Sequence, residues 1–279
     1  MKDLIPCSVQ VLVRNSVSSL RTCLPTVQEF AEVIVQDGNS TDGSREFASS
    51  FANVTLMNQD LALLDSEGRI TDFSAMRNQS IRAAKYDWIF VVDADEEVMP
   101  SMVAEVREIV TKNIPGVFRA FRRFYVDGEP VMHCAGYPAY QIRLFHRSQV
   151  DGYVKPIHER LALHPGVELQ LLATELTVPF PSVSVLQKKN DRYLRMEVQR
   201  VGVLPFRQWC KWILLRNTKT IVGLGVKTLW ITLLPRKGKK MPMRYDLQYM
   251  WHSFRTIVAT FPPRVAMAKR RTESQTAST

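Results

Sequence analysis

Residues 88–92, Trp-Ile-Phe-Val-Val, run without a polar break into Asp93-Ala94-Asp95-Glu96-Glu97. Five apolar residues ending in charge are too few for a buried helix and suit a strand covered on both faces. Four acids in five positions then sit on the rigid edge where that strand ends. Their mutual repulsion is relieved by a cation, and hard carboxylate oxygens select Mg²⁺ or Mn²⁺. In open α/β sheets, ligands bind beyond the carboxyl ends of the strands. This feature points to a layered α/β fold with a crevice at that edge.

The preceding residues repeat the pattern. Residues 8–13, 32–35 and 54–57 are short apolar runs that predict strands. The Ser/Leu/Val stretch up to Phe30 and residues 74–85 predict helices between them, so βαβ units and a parallel sheet follow. Asn15, Asp37 and Asp93 all fall at carboxyl ends of strands. The turn Asp37-Gly38-Asn39-Ser40-Thr41-Asp42-Gly43-Ser44 follows the second strand. Its glycines permit conformations that bulkier residues resist, its acids can accept base or ribose hydrogen bonds, and Thr41 or Asp42 is the expected helix cap. Phe73-Ser74-Ala75-Met76-Arg77-Asn78 opens the helix leading into the acidic strand, where Arg77 can grip a phosphate.

Beyond a helix at 101–112 the pattern changes. Residues 117–126 and 139–145 predict antiparallel strands flanking a connection at 127–138, residues 151–163 read as a loop, and 187–201 predict a helix. Cys7, Cys23, Cys134 and Cys210 are scattered, with no CxxC pair, which suits a reducing compartment. The first residues lack the apolar stretch of a signal peptide, so a cytoplasmic protein is expected.

Charge is unevenly spread. Residues 206–279 hold 15 basic and two acidic residues, a net of +13, leaving 22 basic and 25 acidic residues, a net of −3, in 1–205. Four of the five tryptophans lie in the basic part, at 209, 212, 230 and 251. Residues 209–234 carry too many cations to span a bilayer and suit a helix lying among anionic headgroups. Pro235 ends it, and Arg236-Lys237-Gly238-Lys239-Lys240 adds a polybasic cluster. The expected organisation is a catalytic domain at 1–205, a membrane-associating helical region at 206–269 and a disordered tail at 270–279. A membrane surface, rather than nucleic acid, is the expected polyanion, with an ordinary helical subdomain bearing a solvated basic face as the alternative.

The three N-terminal pieces, in this order and spacing, resemble the family 2 glycosyltransferases, whose pattern is a first strand ending in Asn, a DxGSTDGT-like turn, an "ARN" helix and a "DADE" strand end. Residues 8–100 carry the match. The resemblance is strongest to a bacterial branch with lipopolysaccharide-core and cell-surface glucosyltransferases, in which a "VHE" element follows the antiparallel strands, here Ile157-His158-Glu159. It implies a GT-A fold, a Rossmann-like, mostly parallel sheet flanked by helices, here with a basic helical C-terminal extension. It also implies an NDP-sugar donor (a UDP-sugar is expected), Mg²⁺ or Mn²⁺, and usually inversion.

By that analogy Asp37 contacts the base, Arg77 the diphosphate, Asp93 the ribose or metal, and Asp95 the metal, with Asn15 and Ser40 completing the donor site. His158 would complete the metal shell. Gln36 and Asn39 stand where acidic or small residues are usual, which leaves the base open. Inverting transfer needs a general base for the acceptor hydroxyl; Glu159 leads, with Glu96 or Glu97 in reserve. The expected acceptor is a lipid-linked or cell-surface glycan, reached from the inner face of the cytoplasmic membrane. A nucleotidyltransferase would want a Gly-rich basic loop near the N-terminus, which residues 9–15 lack. A membrane-recruited nucleotide-sugar-binding protein without turnover is the nonenzymatic alternative.

Overall fold

A computed structural model describes residues 3–156, 159–202 and 204–262. The chain forms two compact units, Met1–Phe124 with Pro138–Pro179, and Tyr125–Tyr137 with Phe180–Thr279.

The first unit is built on strands β1 (Ile5–Val13), β2 (Phe30–Asp37), β3 (Val54–Asn58) and β4 (Trp88–Val91). They lie parallel in the order β3-β2-β1-β4. Helices α1 (Val17–Cys23), α2 (Ser44–Ser49) and α3 (Phe73–Ala83) connect them, and α4 (Pro100–Lys112) follows. Side chains alternate as the period of a strand requires. Cys7, Val9, Val11 and Val13 of β1 enter one core cluster, where Phe30 stacks on Phe90 with ring centroids 5.5 Å apart. Ile34, Ile89 and Val91 enter a second cluster. All four residues of β4 are buried, as its unbroken apolar run demands.

Beyond β4 the sheet turns antiparallel: β7 (Tyr140–His146) pairs with β4, and β5 (Val117–Val126) pairs with β7. Strand β10 (Leu169–Pro179), which the sequence pattern does not announce, pairs with β5. The mostly parallel, helix-flanked α/β sheet is the fold class expected.

Two local expectations are corrected. Helix α2 is capped by Gly43 at φ 86° rather than by Thr41 or Asp42. The Asp42 carboxylate instead accepts the N–H groups of Ser44 and Val17, each at 3.0 Å, tying the turn to the start of α1. The stretch 151–163, read as a loop, contains the antiparallel pair β8 (Val150–Val154) and β9 (Arg160–Leu163). Asn78 of α3 holds it: its amide donates to the Tyr153 carbonyl at 2.9 Å and accepts the Tyr153 N–H at 2.7 Å. Gly152, at φ 105°, allows this approach, since a Cβ there would lie 2.7 Å from Asn78 Oδ1. Asn78→Ala strands both backbone groups and is expected to destabilise the protein by about 1–3 kcal/mol. An unchanged denaturation midpoint would show that α3 does not anchor β8.

In the second unit the last two residues of β5 pair with β6 (Glu129–His133), and β11 (Lys239–Lys240) pairs with β6. The rest is helical: α5 (Val183–Val201), α6 (Phe206–Trp209), α7 (Leu215–Leu233) and α8 (Met243–Ala259). Cys210–Leu214 form a π-helical segment leading into α7. Within this unit α5 packs on α8, with Arg255 paired to Asp191. The tail at 270–279 lies outside the described residues. Among the described residues no helix is long and apolar enough to cross a membrane.

Candidate active site

The ends of β1 and β2 carry a closed hydrogen-bond network. Asn15 and Asn39 both adopt left-handed backbone conformations, at φ 47° and 58°. The Asn15 side chain accepts the Thr41 N–H at 2.8 Å, and its own N–H reaches Ser40 Oγ at 2.9 Å. Ser40 in turn donates from its hydroxyl to Asp37 Oδ1 at 2.5 Å and from its N–H to Oδ2 at 3.1 Å. Asp37 is 2% exposed. Asn15, Asp37 and Ser40 are thus brought together, with the turn drawn tight over the end of the sheet. Gln36 points away: its amide bonds Gln79 and Ser80 of α3.

The end of β4 carries a denser cluster. Asp93 Oδ1 accepts from Arg77 at 3.2 Å, and Oδ2 accepts from Arg143 at 2.9 Å. Arg77 Nε bonds Glu159 Oε1 at 3.1 Å, and its guanidinium lies over the Tyr153 ring at 5.7 Å. Arg77 therefore joins two carboxylates from distant parts of the chain, while its Nη1 is buried without a partner. These side chains line a cavity of about 340 Å³ with Gln141, Arg160 and Leu161.

Behind it lies Glu96, wholly buried. One oxygen accepts from Arg143 and from Arg122 Nε, the latter at 3.1 Å, and the other accepts the Asp93 N–H at 3.0 Å. Burial pushes the Asp93 carboxyl up, but Arg143, Arg77 and Arg122 outweigh it and hold it well below the usual carboxylate range. Glu96 ends on the other side: burial dominates, Arg143 opposes it, and the Asp93 charge helps drive its pKa up to about 7. Cys23, beneath the acidic turn, has its thiol pushed up to about 12 by burial and then by the charges of Glu96 and Asp95, which makes it inert.

The family model described as "Glycosyl transferase family 2" matches residues 8–155, more than half of the chain. The chain belongs to glycosyl transferase family 2. A TPR repeat-containing protein of Synechococcus elongatus is 39% identical over 101 residues, which cover 36% of this family 2 chain and 23% of that protein. Solved structures resembling it include S. aureus TarS, at 13% identity and TM-score 0.45, covering 90% of this chain and 54% of TarS. TarS 1–349 in complex with UDP-GlcNAc aligns at 11% identity and TM-score 0.46, covering 95% and 91%. The mannosyltransferase PcManGT from Pyrobaculum calidifontis, in complex with GDP-Man and Mn²⁺, aligns at 14% identity and TM-score 0.43, covering 96% and 75%. The chain thus spans about a quarter of its curated relative and about half of full TarS.

In this family 2 chain, Arg77, Asp93 and Glu159 meet in one bonded group. Asp95 stands apart, exposed, and among the described residues its side chain has no hydrogen bond or ion pair. Glu96, a reserve candidate for the base, is wholly buried and does not line the cavity, and both of its oxygens are engaged. The Glu97 backbone is tied to β10, its N–H bonding Thr177 at 3.3 Å. His158 lies outside the described residues. Among those residues no three His, Cys, Asp or Glu side chains gather as a metal cage. The donor set still fits a divalent ion held mostly by substrate oxygens and water, since Mg²⁺ sites commonly use one or two carboxylates plus substrate phosphates. Asp95 is the open carboxylate; Asp93 is committed to arginines. Arg143 and Arg122 escaped the sequence reading. The one signal was a lone charge inside the apolar strand Ile142-Arg143-Leu144-Phe145.

Proposed function

We propose that the protein transfers a hexosyl group from an NDP-sugar, with UDP-sugar the expected donor, to a lipid-linked or cell-surface glycan at the cytoplasmic face of the membrane. The observation that carries this reading is the Asp93–Arg77–Glu159 junction, set in a cavity at the end of the central strand. Asp37, Ser40 and Asn15 shape the nucleoside end, where Asp37 and the turn's backbone face the base and ribose. Arg77, which lines the cavity, meets the diphosphate with its guanidinium, a charge-assisted contact.

Glu159 serves as the base. Its side chain is 22% exposed, and only Oε1 is engaged by Arg77. The remaining oxygen takes the proton of the acceptor hydroxyl. The hydroxyl oxygen then bonds the anomeric carbon as the bond to the diphosphate breaks, its electron pair leaving with the nucleoside diphosphate, and the anomeric centre inverts. A divalent ion on Asp95 would neutralise the departing diphosphate. Glu96 acts as a scaffold for Asp93 and the arginines. Placement in the lipopolysaccharide-type branch rests on the "VHE"-like element and the basic helical region.

The test incubates the protein with a panel of NDP-sugars, with and without Mn²⁺ or Mg²⁺, and measures released nucleoside diphosphate. Metal-dependent release from one donor is expected. Absence of both release and binding for every donor would overturn the reading.

A further inference from the structure

Helices α7 and α8 each turn an apolar stripe outward, although their inner faces keep half-buried Ile221, Leu224 and Ile231 and buried Tyr245. On α7 the residues buried in the unit are Asn217 and Thr228, while Leu215, Val222, Val226, Leu229, Trp230 and Leu233 are 53–71% exposed. At about 100° per residue, these six apolar residues fall within an arc of about 100°, opposite the buried polar pair. Helix α8 repeats the arrangement. Met243, Leu247, Trp251 and Phe254 form one exposed stripe, while Asp246, Ser253 and Thr256 are buried on the other side. The polar interior is satisfied locally: Asn217 donates to the Ile213 carbonyl at 2.8 Å, and Thr256 to the His252 carbonyl at 2.9 Å. A water-facing helix pair would reverse this distribution, because each exposed Leu, Val or Trp loses the gain from leaving water.

Something apolar covers these stripes, and charge selects it. Between residues 206 and 240 there are nine basic residues and no acidic one. By the same helical spacing Arg216 and Lys227 lie just beyond one edge of the α7 stripe, and Lys219 falls within it near that edge, where its long stem can reach outward. Self-association would bring two such basic surfaces together, whereas an anionic bilayer offers the opposite charge beside an apolar interior.

We infer that α7 and α8 lie in the plane of an anionic membrane surface, their apolar stripes sunk to the acyl boundary and their lysines and arginines among the headgroups. This deepens the proposed function, on which it rests for a reason to be at a membrane, by naming the inserted residues. Insertion rather than adsorption is the distinguishing claim. Adsorbed basic segments leave the surface in about 1 M salt, where the Debye length is about 3 Å; a buried apolar stripe stays.

The experiment sediments the full chain with phosphatidylcholine vesicles and with vesicles containing phosphatidylglycerol, in low and high salt, and measures quenching of tryptophan fluorescence by brominated acyl chains. Expected are preference for the anionic vesicles, binding that survives high salt, and quenching. The triple variant Val226→Ser, Leu229→Ser, Leu233→Ser changes only exposed positions and is expected to weaken partitioning on the order of a hundredfold. No binding to either vesicle, or binding abolished by salt and indifferent to the triple variant, would overturn the inference. So would a dimer in sedimentation equilibrium that the variant turns to monomer, because a second copy would then cover the stripes. Donor turnover is read on the same preparations: its absence would count against the proposed function and leave the lipid result standing.

Discussion

Arg143→Met is expected to lower the unfolding free energy by about 3–5 kcal/mol and to abolish donor turnover. Arg143 is 2% exposed and bonds both Asp93 and Glu96. Removing its charge leaves two carboxylates close together at the end of β4, with Arg77 and Arg122 as the remaining counter-charges. Breaking a buried ion pair from one side is costly because the abandoned charge cannot regain its hydration. Arg143→Lys restores the charge without the planar fork that reaches two acceptors. It should recover much of the stability and little of the turnover. The denaturant midpoint and donor release report the two effects separately. A fully stable Arg143→Met protein would show that Glu96 is held by Arg122 alone.

Asp95→Asn is expected to give the opposite split. Its side chain is exposed and makes no hydrogen bond or ion pair among the described residues, so stability should stay within about 0.5 kcal/mol of the parent. Turnover should fall on the order of a thousandfold if, as proposed, this open carboxylate shares a divalent ion with the departing diphosphate, an effect worth several kcal/mol in the transition state. The measurement is nucleoside diphosphate release over a range of Mn²⁺ concentrations. Unchanged release at every concentration would remove Asp95 from the metal-binding role.

The contrast between these two residues shows how much of the site was legible. Asp93, Asp95, Glu96 and Glu97 look alike in sequence: four acids past one strand. Their chemistry diverges because the turn after β4 sends Asp95 to solvent and folds Glu96 inward. Arg122 and Arg143 come from antiparallel strands roughly thirty and fifty residues downstream, and beyond the lone charge in the apolar run around Arg143 neither position carries a local pattern that betrays a partner. Glu159 could be nominated from its neighbours, but its bond to Arg77 spans 82 residues. The hairpin of β8 and β9 was missed because Gly152 and Lys155, both at positive φ, interrupt the alternation that marks a strand.

The parallel core and the carboxyl edge where its strands end were legible in the residue pattern. Apolar runs of strand length, separated by helical stretches and ending in Asn15, Asp37 and Asp93, leave few other ways to bury that surface while hydrogen-bonding the backbone. That pattern also declared the basic, tryptophan-bearing character of the last third. Which acids meet cations depends on side chains that converge across the sheet, and which face of α7 and α8 is outside depends on packing. Composition records how many apolar residues a helix has; packing alone determines whether they point inward.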